Sequence, residues 1–409
     1  MKHFTFYVLV LLGIFAQTAS SVNTHDFIAG ADMSHVAWIE NTGIQYKVDG
    51  QVADPITILK DRGINYIRLR QYTSSAEQAT ADPYNAINNQ KYNIPLAKRI
   101  KAAGMKLLLN FHYSDTWADP AHQTKPKAWQ ELSYEELKKA LYEYNRDSMI
   151  AYKQAGVIPD MVQIGNETRP GMLWPEGRND SDEQWDKYAE LTKEAIRGIR
   201  DGIGTEKMPK IMIHIDSGGS WGQSKWFFDN LIKRDVKFDI IGQSYYPFWH
   251  GTLEDLENCL INCVTTYGKP VLLVETSFPW ALHEHDQKAS GELVGIMPGK
   301  EGQVEFVEKL NQILAKVPDS KGIGIFWWAA EFIQVPDVNM ATFSRQSFFD
   351  AEGNALPVIA ALGKLSTEPR PQVQSTGNAE KQPETVIIPS AHGIYGESFG
   401  RNPNLHLQL

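Results

Sequence analysis

Short apolar runs alternate with amphipathic segments of helical period along most of this chain. Eight of the runs are four or five residues long and mostly apolar, a pattern typical of strands whose two faces are both buried. They cover residues 27–31, 66–69, 107–111, 161–165, 211–215, 240–244, 271–274 and 323–327. Eight strands that alternate with helices predict an α/β protein with a parallel (β/α)8 TIM barrel.

The helical segments between these runs carry recognisable start and stop residues. Pro55 and Pro95 each stand where a helix is predicted to begin, and a glycine follows each helix eight or nine residues later. Ser133 has Glu136 three residues further on, which is the spacing of a capping box. Thr252 is predicted to cap a helix that contains both cysteines and stops near residue 268.

The chain is predicted to have three parts. Residues 1–20 combine Met1-Lys-His, an apolar run from Phe4 to Ala16 and small polar residues, which indicates a secretory signal peptide. The apolar run is too short to cross a bilayer comfortably, and an uncleaved anchor is the alternative. Residues 21–365 form one catalytic barrel, and residues 366–409, rich in Pro, Gln, Asn, Ser and Gly, form a flexible tail. We therefore expect export to the periplasm, cell surface or medium, with no membrane span after signal removal.

The net charge and the aromatic content limit the class of binding partner, and the two cysteines raise the question of a disulfide bond. A net charge of -9 argues against nucleic acid, which needs a dense Lys/Arg surface. The 11 Trp, 16 Tyr and 17 Phe suit a core with some rings left to line a sugar-binding cleft. We expect a monomer that acts on a neutral polysaccharide. Cys259 and Cys263 are the two cysteines and are predicted to be buried free thiols, with a weakly constraining bridge as the alternative.

Two glutamates at strand ends are the strongest chemical signal. Glu167 closes the run that begins at Met161, and Glu275 closes the run that begins at Val271. Desolvating a carboxylate is costly, so two of them at the mouths of buried strands indicate chemistry rather than packing. Two carboxylates that face one cleft are the machinery of glycoside hydrolysis.

Other polar and aromatic residues also follow the strands, at the face where TIM-barrel active sites lie. Arg68 and Arg70 are expected to point in opposite directions, one into the barrel mouth to keep a carboxylate ionised and one outward. A structural ion pair is the alternative for the inward arginine, a satisfied core histidine for His112, and a loop cap for Asp115 and Asp216. The full set is Asp32, Arg68, Arg70, His112, Asp115, Asn166, Glu167, His214, Asp216, Tyr245, Glu275, Trp327 and Trp328.

At these strand ends the sequence resembles glycoside hydrolase family 53, the endo-β-1,4-galactanases of clan A. The resemblance covers roughly residues 27 to 360, and an ordered series of motifs on successive strands is far more specific than a lone Asn-Glu pair. The motifs are Gly30-Ala-Asp-Met-Ser, Tyr66-Ile-Arg-Leu-Arg, Asn110-Phe-His-Tyr-Ser-Asp-Thr-Trp-Ala-Asp-Pro, Gly165-Asn-Glu, Ser244-Tyr-Tyr-Pro-Phe-Trp and Val274-Glu-Thr.

The resemblance implies a retaining hydrolase of β-1,4-galactan, the neutral side chain of pectin. It makes Glu167 the acid/base and Glu275 the nucleophile, and it assigns Asn166 to the sugar 2-hydroxyl. Tyr245 and Arg68 would orient and stabilise Glu275. The expected substrate-binding residues are completed by His112, Asp115 and Trp327 around the attacked sugar and by Trp117 and Trp328 as stacking faces.

No cofactor is expected for the chemistry, and no metal ligand is assigned. Some bacterial family members hold a structural calcium in the loop after strand 7. Here that loop, residues 282–287, lacks the spaced Asp/Asn run expected of a calcium site, and a solvated loop is the alternative.

Two other readings of the function stay open from sequence alone. Another clan A specificity, such as a β-mannanase or xylanase, would share the barrel and glutamates, because the pocket selects the sugar. A non-catalytic glycan-binding barrel belongs to a different class, and two intact glutamates argue against it. A barrel metallohydrolase is disfavoured because no HExxH helix is present.

Overall fold

Eight parallel strands close into a barrel in the computed structural model, which describes residues 27–282 and 291–368. Each strand pairs with its neighbours in chain order, and β1 pairs with both β2 and β8. The TIM-barrel prediction is confirmed, and all eight predicted strands are found within two residues at either end. The strands are β1 (Ile28–Asp32), β2 (Tyr66–Gln71), β3 (Lys106–Phe111), β4 (Met161–Ile164), β5 (Lys210–Ile215), β6 (Ile240–Ser244), β7 (Val271–Thr276) and β8 (Gly322–Trp327).

A principal helix lies between each strand and the next and packs on the outside of the barrel. These helices are α1 (Pro55–Asp61), α2 (Gln90–Ala102), α3 (Tyr134–Gln154), α4 (Asp182–Ile203), α5 (Trp221–Lys233), α6 (Leu253–Tyr267), α7 (Lys300–Lys316) and α8 (Val358–Thr367). Short helices at Val36–Asn41, Ala76–Ala81, Pro83–Ala86, Pro247–His250 and Ala341–Ser344 lie in the loops, with 3-10 turns at Lys127–Trp129 and Pro318–Ser320. A small antiparallel hairpin joins Lys47–Val48 to Gln51–Val52.

Most of the predicted helix ends are confirmed. Ser133 accepts a hydrogen bond from the backbone N–H of Glu136, and the Glu136 side chain accepts one from the backbone N–H of Ser133, which completes the predicted capping box of α3. Thr252 caps α6 in the same way, and Gly268 ends that helix in the left-handed conformation at φ 65°.

The predicted start of α2 at Pro95 is wrong. The helix begins at Gln90, because the Asn89 side chain accepts a hydrogen bond from the backbone N–H of Tyr92 and so caps an earlier turn. Pro95 therefore lies inside the helix. There it removes one backbone donor from the helix without setting its start.

The barrel interior has an apolar layer at the amino-terminal end of the strands and a polar layer above it. Side chains two residues apart on a strand point to the same face, so most of the inward apolar residues are followed two positions later by an inward polar residue or a glycine. The apolar layer consists of Ile28, Tyr66, Leu108, Met161, Met212, Ile240, Leu272, Val274 and Phe326. A second, larger apolar cluster fills the space between strands and helices.

The structure describes the two cysteines and the start of the predicted tail, but not the predicted signal peptide. Cys259 and Cys263 are buried free thiols, as predicted. Helix α8 continues to Thr367, so it includes the first two residues assigned to the tail. The predicted signal peptide, the rest of the tail and loop residues 283–287 lie outside the described ranges. Within those ranges, no helix is long and apolar enough to cross a membrane.

Candidate active site

Glu167 and Glu275 lie side by side at the carboxyl ends of β4 and β7. One carboxylate oxygen from each and one ring nitrogen of His214 are within 4.8 Å of one another. The hydroxyl of Ser244 lies between the carboxylates, 2.5 Å from Glu167 Oε1 and 3.5 Å from Glu275 Oε2. Only 9% of Glu167 and 6% of Glu275 is exposed, so both carboxylates sit at a narrow opening.

A tight turn after β4 aims Glu167 over the barrel. The strand ends at Ile164, and both Gly165 and Glu167 then adopt left-handed backbone conformations, at φ 69° and φ 50°. For a glutamate this conformation is strained, and such strain concentrates at functional sites. The backbone N–H of Glu167 donates to Nδ1 of His214 at 3.3 Å, which helps to hold the turn.

A β-bulge turns Glu275 into the barrel. Val274 belongs to the inward apolar layer, so strict alternation would turn Glu275 outward. The pairing of β6 with β7 jumps from Gln243 and Leu273 to Ser244 and Glu275, which shows one extra residue in β7. Such a bulge re-aims the following side chain, and here it directs Glu275 towards Ser244.

Arg68 anchors Glu275 from below. Its guanidinium is fully buried and lies 2.6 Å from Glu275 Oε1 and 3.1 Å from Asp32 Oδ2. It also donates to Asn166 Oδ1 at 2.8 Å. This confirms the sequence-based expectation that an inward arginine contacts a carboxylate of the site.

The expectation that Arg68 and Arg70 point in opposite directions is wrong. Residues two apart on a strand share a face, so both arginines stand above Tyr66 on the inward side of β2. Arg70 is also buried, with Nε 3.4 Å from Asp32 and Nη2 2.9 Å from Nδ1 of His35. Two guanidinium groups therefore flank Asp32 beneath the opening.

The two glutamates have different pKa values because their surroundings differ. Burial raises the pKa of Glu167 well above its usual range, and the negative charges of Glu275 and Asp216 add to the effect. Burial also raises the pKa of Glu275, but there the charge of Arg68 and its hydrogen bond oppose the rise. Glu275 therefore loses its proton before Glu167 does.

Asp216 is the second acidic neighbour of Glu167. It follows β5 and receives two hydrogen bonds of 2.9 Å from the Arg169 guanidinium. Its carboxylate is nearly buried, so its charge acts on Glu167 through a medium of low polarity.

Asn166 is held in place from several sides. Its Oδ1 accepts hydrogen bonds from Arg68 at 2.8 Å and from the Asn110 side chain at 3.1 Å. Its Nδ2 donates to the carbonyl of Ala118 at 2.9 Å. Asn166 thus stands beside Glu167 in a fixed rotamer, as its predicted role requires.

His112 and Asp115 serve the protein's own loops. Nδ1 of His112 accepts from the backbone N–H of Ala118 at 2.9 Å, and its Nε2 lies 3.0 Å from the Asn110 amide. Burial and the nearby arginines lower its pKa well below the usual range, so the ring is neutral. Asp115 accepts hydrogen bonds from Thr73, Gln78 and the backbone N–H of Lys127. His112 therefore matches the alternative of a satisfied core histidine, and Asp115 matches that of a loop cap.

Tyr245 does not reach Glu275, contrary to the sequence-based expectation. Ser244 points inward, so the next side chain points outward, where Tyr245 stacks near Phe306 and donates to the carbonyl of Gly251 at 2.9 Å. Tyr246 takes the inward position instead. Its ring meets that of Trp328 edge to face with centres 6.5 Å apart. Burial and the charges of Glu275 and Glu167 raise the pKa of the Tyr246 hydroxyl well above the usual range.

Trp327, like Tyr245, points to the face of its strand opposite to the one predicted. Phe326 belongs to the inward layer, so Trp327 faces outward, stacks on Phe348 and donates from Nε1 to the carbonyl of Gln346 at 2.7 Å. No part of Trp327 is exposed, and the prediction that it lines the cleft is wrong. Trp328 is the residue that reaches the mouth of the barrel.

An aromatic wall borders the opening. Trp328 meets Trp117 edge to face with ring centres 6.1 Å apart and Tyr246 with centres 6.5 Å apart. The ring of Phe343 packs against both tryptophans, and Arg70 lies 5.5 Å from the centre of Trp117. Trp117 and Trp328 therefore stand together at the mouth with half-buried rings, where stacking faces were predicted.

Ser244, Tyr246 and Gln163 belong to the site but were not singled out by the sequence reasoning. Following the period of two from the inward apolar layer would have found Ser244 at the end of β6, Tyr246 just after it and Gln163 on β4. Gln163 donates from Nε2 to Nδ1 of His214 at 2.9 Å, and Nε2 of His214 lies 2.8 Å from Ser244 Oγ. Both ring nitrogens of His214 therefore have hydrogen-bond partners, and the ring stands beside Glu167 and Glu275.

Comparison with known proteins agrees with this geometry. The family model described as Glycosyl hydrolase family 53 matches residues 28–362. An arabinogalactan endo-beta-1,4-galactanase of Thermothelomyces thermophilus is 35% identical over 343 residues, which cover 82% of this chain and 98% of that protein. An endo-beta-1,4-galactanase of Bacillus subtilis is 36% identical over 329 residues, covering 79% and 74%.

A solved structure gives the same result. The GH53 catalytic domain of Ignisphaera aggregans superposes with a TM-score of 0.76 at 35% identity, covering 85% of this chain and 98% of that domain. The family model spans most of the chain, and these relatives share more than a third of the aligned residues. The chain therefore belongs to glycosyl hydrolase family 53 and is a glycoside hydrolase.

Proposed function

We propose that this protein is an exported, retaining endo-β-1,4-galactanase that uses Glu167 as acid/base and Glu275 as nucleophile. The observation that carries the mechanism is the pair of carboxylates with oxygens within 4.8 Å, of which Glu275 is anchored on Arg68. Retaining enzymes hold their two carboxyl groups about 5–5.5 Å apart, whereas inverting enzymes leave room for a water molecule between them.

The first step forms a glycosyl-enzyme. An oxygen of ionised Glu275 bonds to the anomeric carbon, and the glycosidic C–O bond breaks. The proton of Glu167 moves to the departing oxygen, so that the leaving sugar departs as an alcohol. The raised pKa of Glu167 supports this role, and Arg68 keeps Glu275 the more acidic of the two.

The second step releases the sugar. Glu167 is now ionised and takes a proton from a water molecule, whose oxygen bonds to the anomeric carbon. The bond between that carbon and Glu275 breaks, and both glutamates return to their starting protonation. Asn166, fixed between Arg68 and Ala118, is placed to hold the 2-hydroxyl of the attacked sugar in both steps.

The choice of sugar rests on the relatives. The two curated relatives described above carry the names arabinogalactan endo-beta-1,4-galactanase and endo-beta-1,4-galactanase. A neutral galactan also suits a protein of net charge -9 better than an acidic polymer does. The galactan side chains of pectin are the proposed source, and the signal-like first 20 residues support export.

Hydrolysis of unbranched β-1,4-galactan, mannan and xylan by the purified protein tests the proposal. We expect release of reducing ends from galactan, with products that first appear as the β-anomer in proton NMR. Glu167→Ala and Glu275→Ala should each lose at least about 1,000-fold in kcat, while the exposed control Glu206→Ala should not. Azide should restore turnover and form the β-galactosyl azide with Glu167→Ala and the α-azide with Glu275→Ala. An active Glu275→Ala variant, or an α-anomeric first product, would disprove the mechanism.

A further inference from the structure

The hydroxyl of Ser244 contacts three groups of the site at once. Ser244 ends β6 and is fully buried. Its Oγ lies 2.5 Å from Glu167 Oε1, 3.5 Å from Glu275 Oε2 and 2.8 Å from Nε2 of His214. Among the described residues, Ser244 is the one hydrogen-bond donor to the carboxylate of Glu167, whereas Glu275 also receives Arg68.

His214 determines which way the Ser244 hydroxyl can point. The backbone N–H of Glu167 can only donate, and it lies 3.3 Å from Nδ1 of His214. The Gln163 amide donates to the same nitrogen at 2.9 Å, and Asn166 Oδ1 is 3.2 Å away. Burial and the charge of Arg68 lower the pKa of His214 well below its usual range, so the ring is neutral with one proton. With Nδ1 accepting, that proton lies on Nε2 and is donated to Ser244.

The single proton of Ser244 is therefore available only to a carboxylate. A hydroxyl has one donor and two lone pairs, and the histidine already occupies one lone pair. The donor can serve Glu167 or Glu275 but not both, and rotation about the C–O bond moves it from one to the other. A hydrogen bond to an ionised carboxylate is about twice as strong as one to a neutral carboxyl group.

We propose that Ser244 is a positioning residue whose hydroxyl follows the negative charge between the two glutamates during the reaction. It donates to Glu275 while that residue is the ionised nucleophile. It donates to Glu167 once the acid has given up its proton and the charge of Glu275 has gone into the glycosyl bond. The inference deepens the proposed double displacement and rests on it.

The short contact in the structure favours the second of these positions. At 2.5 Å from Glu167 and 3.5 Å from Glu275, the hydroxyl needs less movement to serve Glu167 once that residue is ionised and acts as base than to serve Glu275. Glu275 has Arg68 at 2.6 Å in either step, so it depends less on the hydroxyl. Loss of Ser244 should therefore slow release of the sugar more than its transfer to Glu275.

Ser244→Ala tests this with a dinitrophenyl β-1,4-galactobioside. Dinitrophenolate leaves without a proton, so the first step no longer depends on Glu167. We expect kcat to fall about 10- to 100-fold, the range for losing one hydrogen bond to a charged group. KM should fall with it, kcat/KM should change little, and stopped-flow should show a burst of dinitrophenolate as the glycosyl-enzyme accumulates. The loss in kcat should be largest at low pH, where Glu167 without its donor is protonated and cannot act as base.

Two serine variants provide the controls. Ser224→Ala removes a fully buried hydroxyl that bonds to Ser217 and Gln243 but touches neither glutamate, so kcat should not change. Ser244→Thr keeps the hydroxyl and should recover most of the lost kcat. If folded Ser244→Ala shows no burst and an unchanged kcat, or equal losses in kcat and kcat/KM at every pH, the inference is overturned. Activity of Glu167→Ala and Glu275→Ala on unbranched β-1,4-galactan, whose leaving sugar needs a proton, would instead overturn the proposed function itself.

Discussion

At the residue scale, Glu167 and Glu275 differ because of their partners rather than their burial. Both are nearly inaccessible to solvent. Glu275 has a guanidinium at 2.6 Å, whereas the charged neighbours of Glu167 that raise its pKa are all acidic: Glu275, Asp216 and Asp119. A proton shared by the pair therefore resides on Glu167, which is the distribution that a general acid and a nucleophile need.

Asp216 offers a way to shift the acid without touching the reacting atoms. Asp216→Asn removes a negative charge that raises the pKa of Glu167, so that pKa should fall. The alkaline limb of the kcat/KM profile, where the acid loses its proton, should then move to lower pH. The positive charge of Arg169, which Asp216 offsets in the wild type, would also lower the pKa of Glu167. The acid limb should stay in place.

The measurement is kcat/KM on galactan from about pH 4 to pH 10, with Asp229→Asn as the control. Asp229 lies on the outer helix α5 and pairs with Lys225, far in sequence from both glutamates. An alkaline limb that stays put in Asp216→Asn, or moves to higher pH, would contradict the electrostatic role of this carboxylate.

At the element scale, the fold and the positions of Glu167 and Glu275 in one site follow from the sequence, whereas the faces to which the other strand-end side chains point do not. Apolar runs and caps suffice to place eight strands, because burial on both faces leaves little choice of residue type. The errors at Arg70, Tyr245 and Trp327 are all errors of which face a side chain takes. For Tyr245 and Trp327 the inward layer that sets this face is defined by barrel closure, which no local pattern displays. Arg68 and Arg70, by contrast, share a face by the period of two alone.

Glu275 shows why local phase rules fail at such a site. Strict alternation of side chains from Val274 would turn Glu275 outward, and the extra residue in β7 turns it inward instead. A bulge changes the hydrogen-bonded register of two neighbouring strands without any sequence signature of its own. The resemblance to a family singled out Glu275 for the site in which the structure places it, because the resemblance carries the outcome of the bulge without requiring its detection.

The turn after β4 yields a prediction about a single element. Gly165→Ala would place a methyl group 2.4 Å from Cγ2 of Thr168 in a left-handed backbone conformation. We expect a loss of about 1–3 kcal/mol in the free energy of unfolding. The same strain should displace Glu167 and lower kcat by more than tenfold.

Urea unfolding and galactan hydrolysis measure the two effects on the same preparation. Gly222→Ala is the matched control, because an added Cβ there meets nothing within 4 Å and helix α5 tolerates alanine. Its stability should be unchanged or slightly higher. Wild-type stability and kcat in Gly165→Ala would show that the turn does not depend on glycine.

At the scale of the whole molecule, the polar layer of the barrel contains a set of buried ionisable groups. Arg68 and Arg70 bridge Asp32 to Glu275 on one side and approach Glu331 on the other. Glu331 is fully buried, accepts from the backbone N–H of His35 at 2.7 Å, and lies 3.9 Å from Arg70. Because such groups titrate differently when the chain unfolds, the stability of the barrel must depend on pH.

Two kinds of group act in opposite directions. Burial and the charge of Asp32 raise the pKa of Glu331 from 4.5 to about 8, so the folded state binds a proton that the unfolded chain has released. That contribution is complete below pH 4.5 and is lost as the pH rises towards 8. His35, His112 and His214 have lowered pKa values, so stability falls again as the pH drops below their usual 6.5.

Glu331→Gln should therefore flatten the upper part of the stability profile. Between pH 6.5 and 8 the histidines lose their remaining charge in the unfolded chain equally in wild type and variant, so the difference in slope between the two proteins reports the raised carboxyl pKa of Glu331. The amide keeps the shape of Glu331 but cannot titrate, so the free energy of unfolding should decline less steeply over this window than in wild type. Urea unfolding at half-unit pH steps measures the slope, with the exposed Glu206→Gln as control. The level of stability will also change because Arg70 loses a neighbour, so an unaltered slope is the result that contradicts the titration of Glu331.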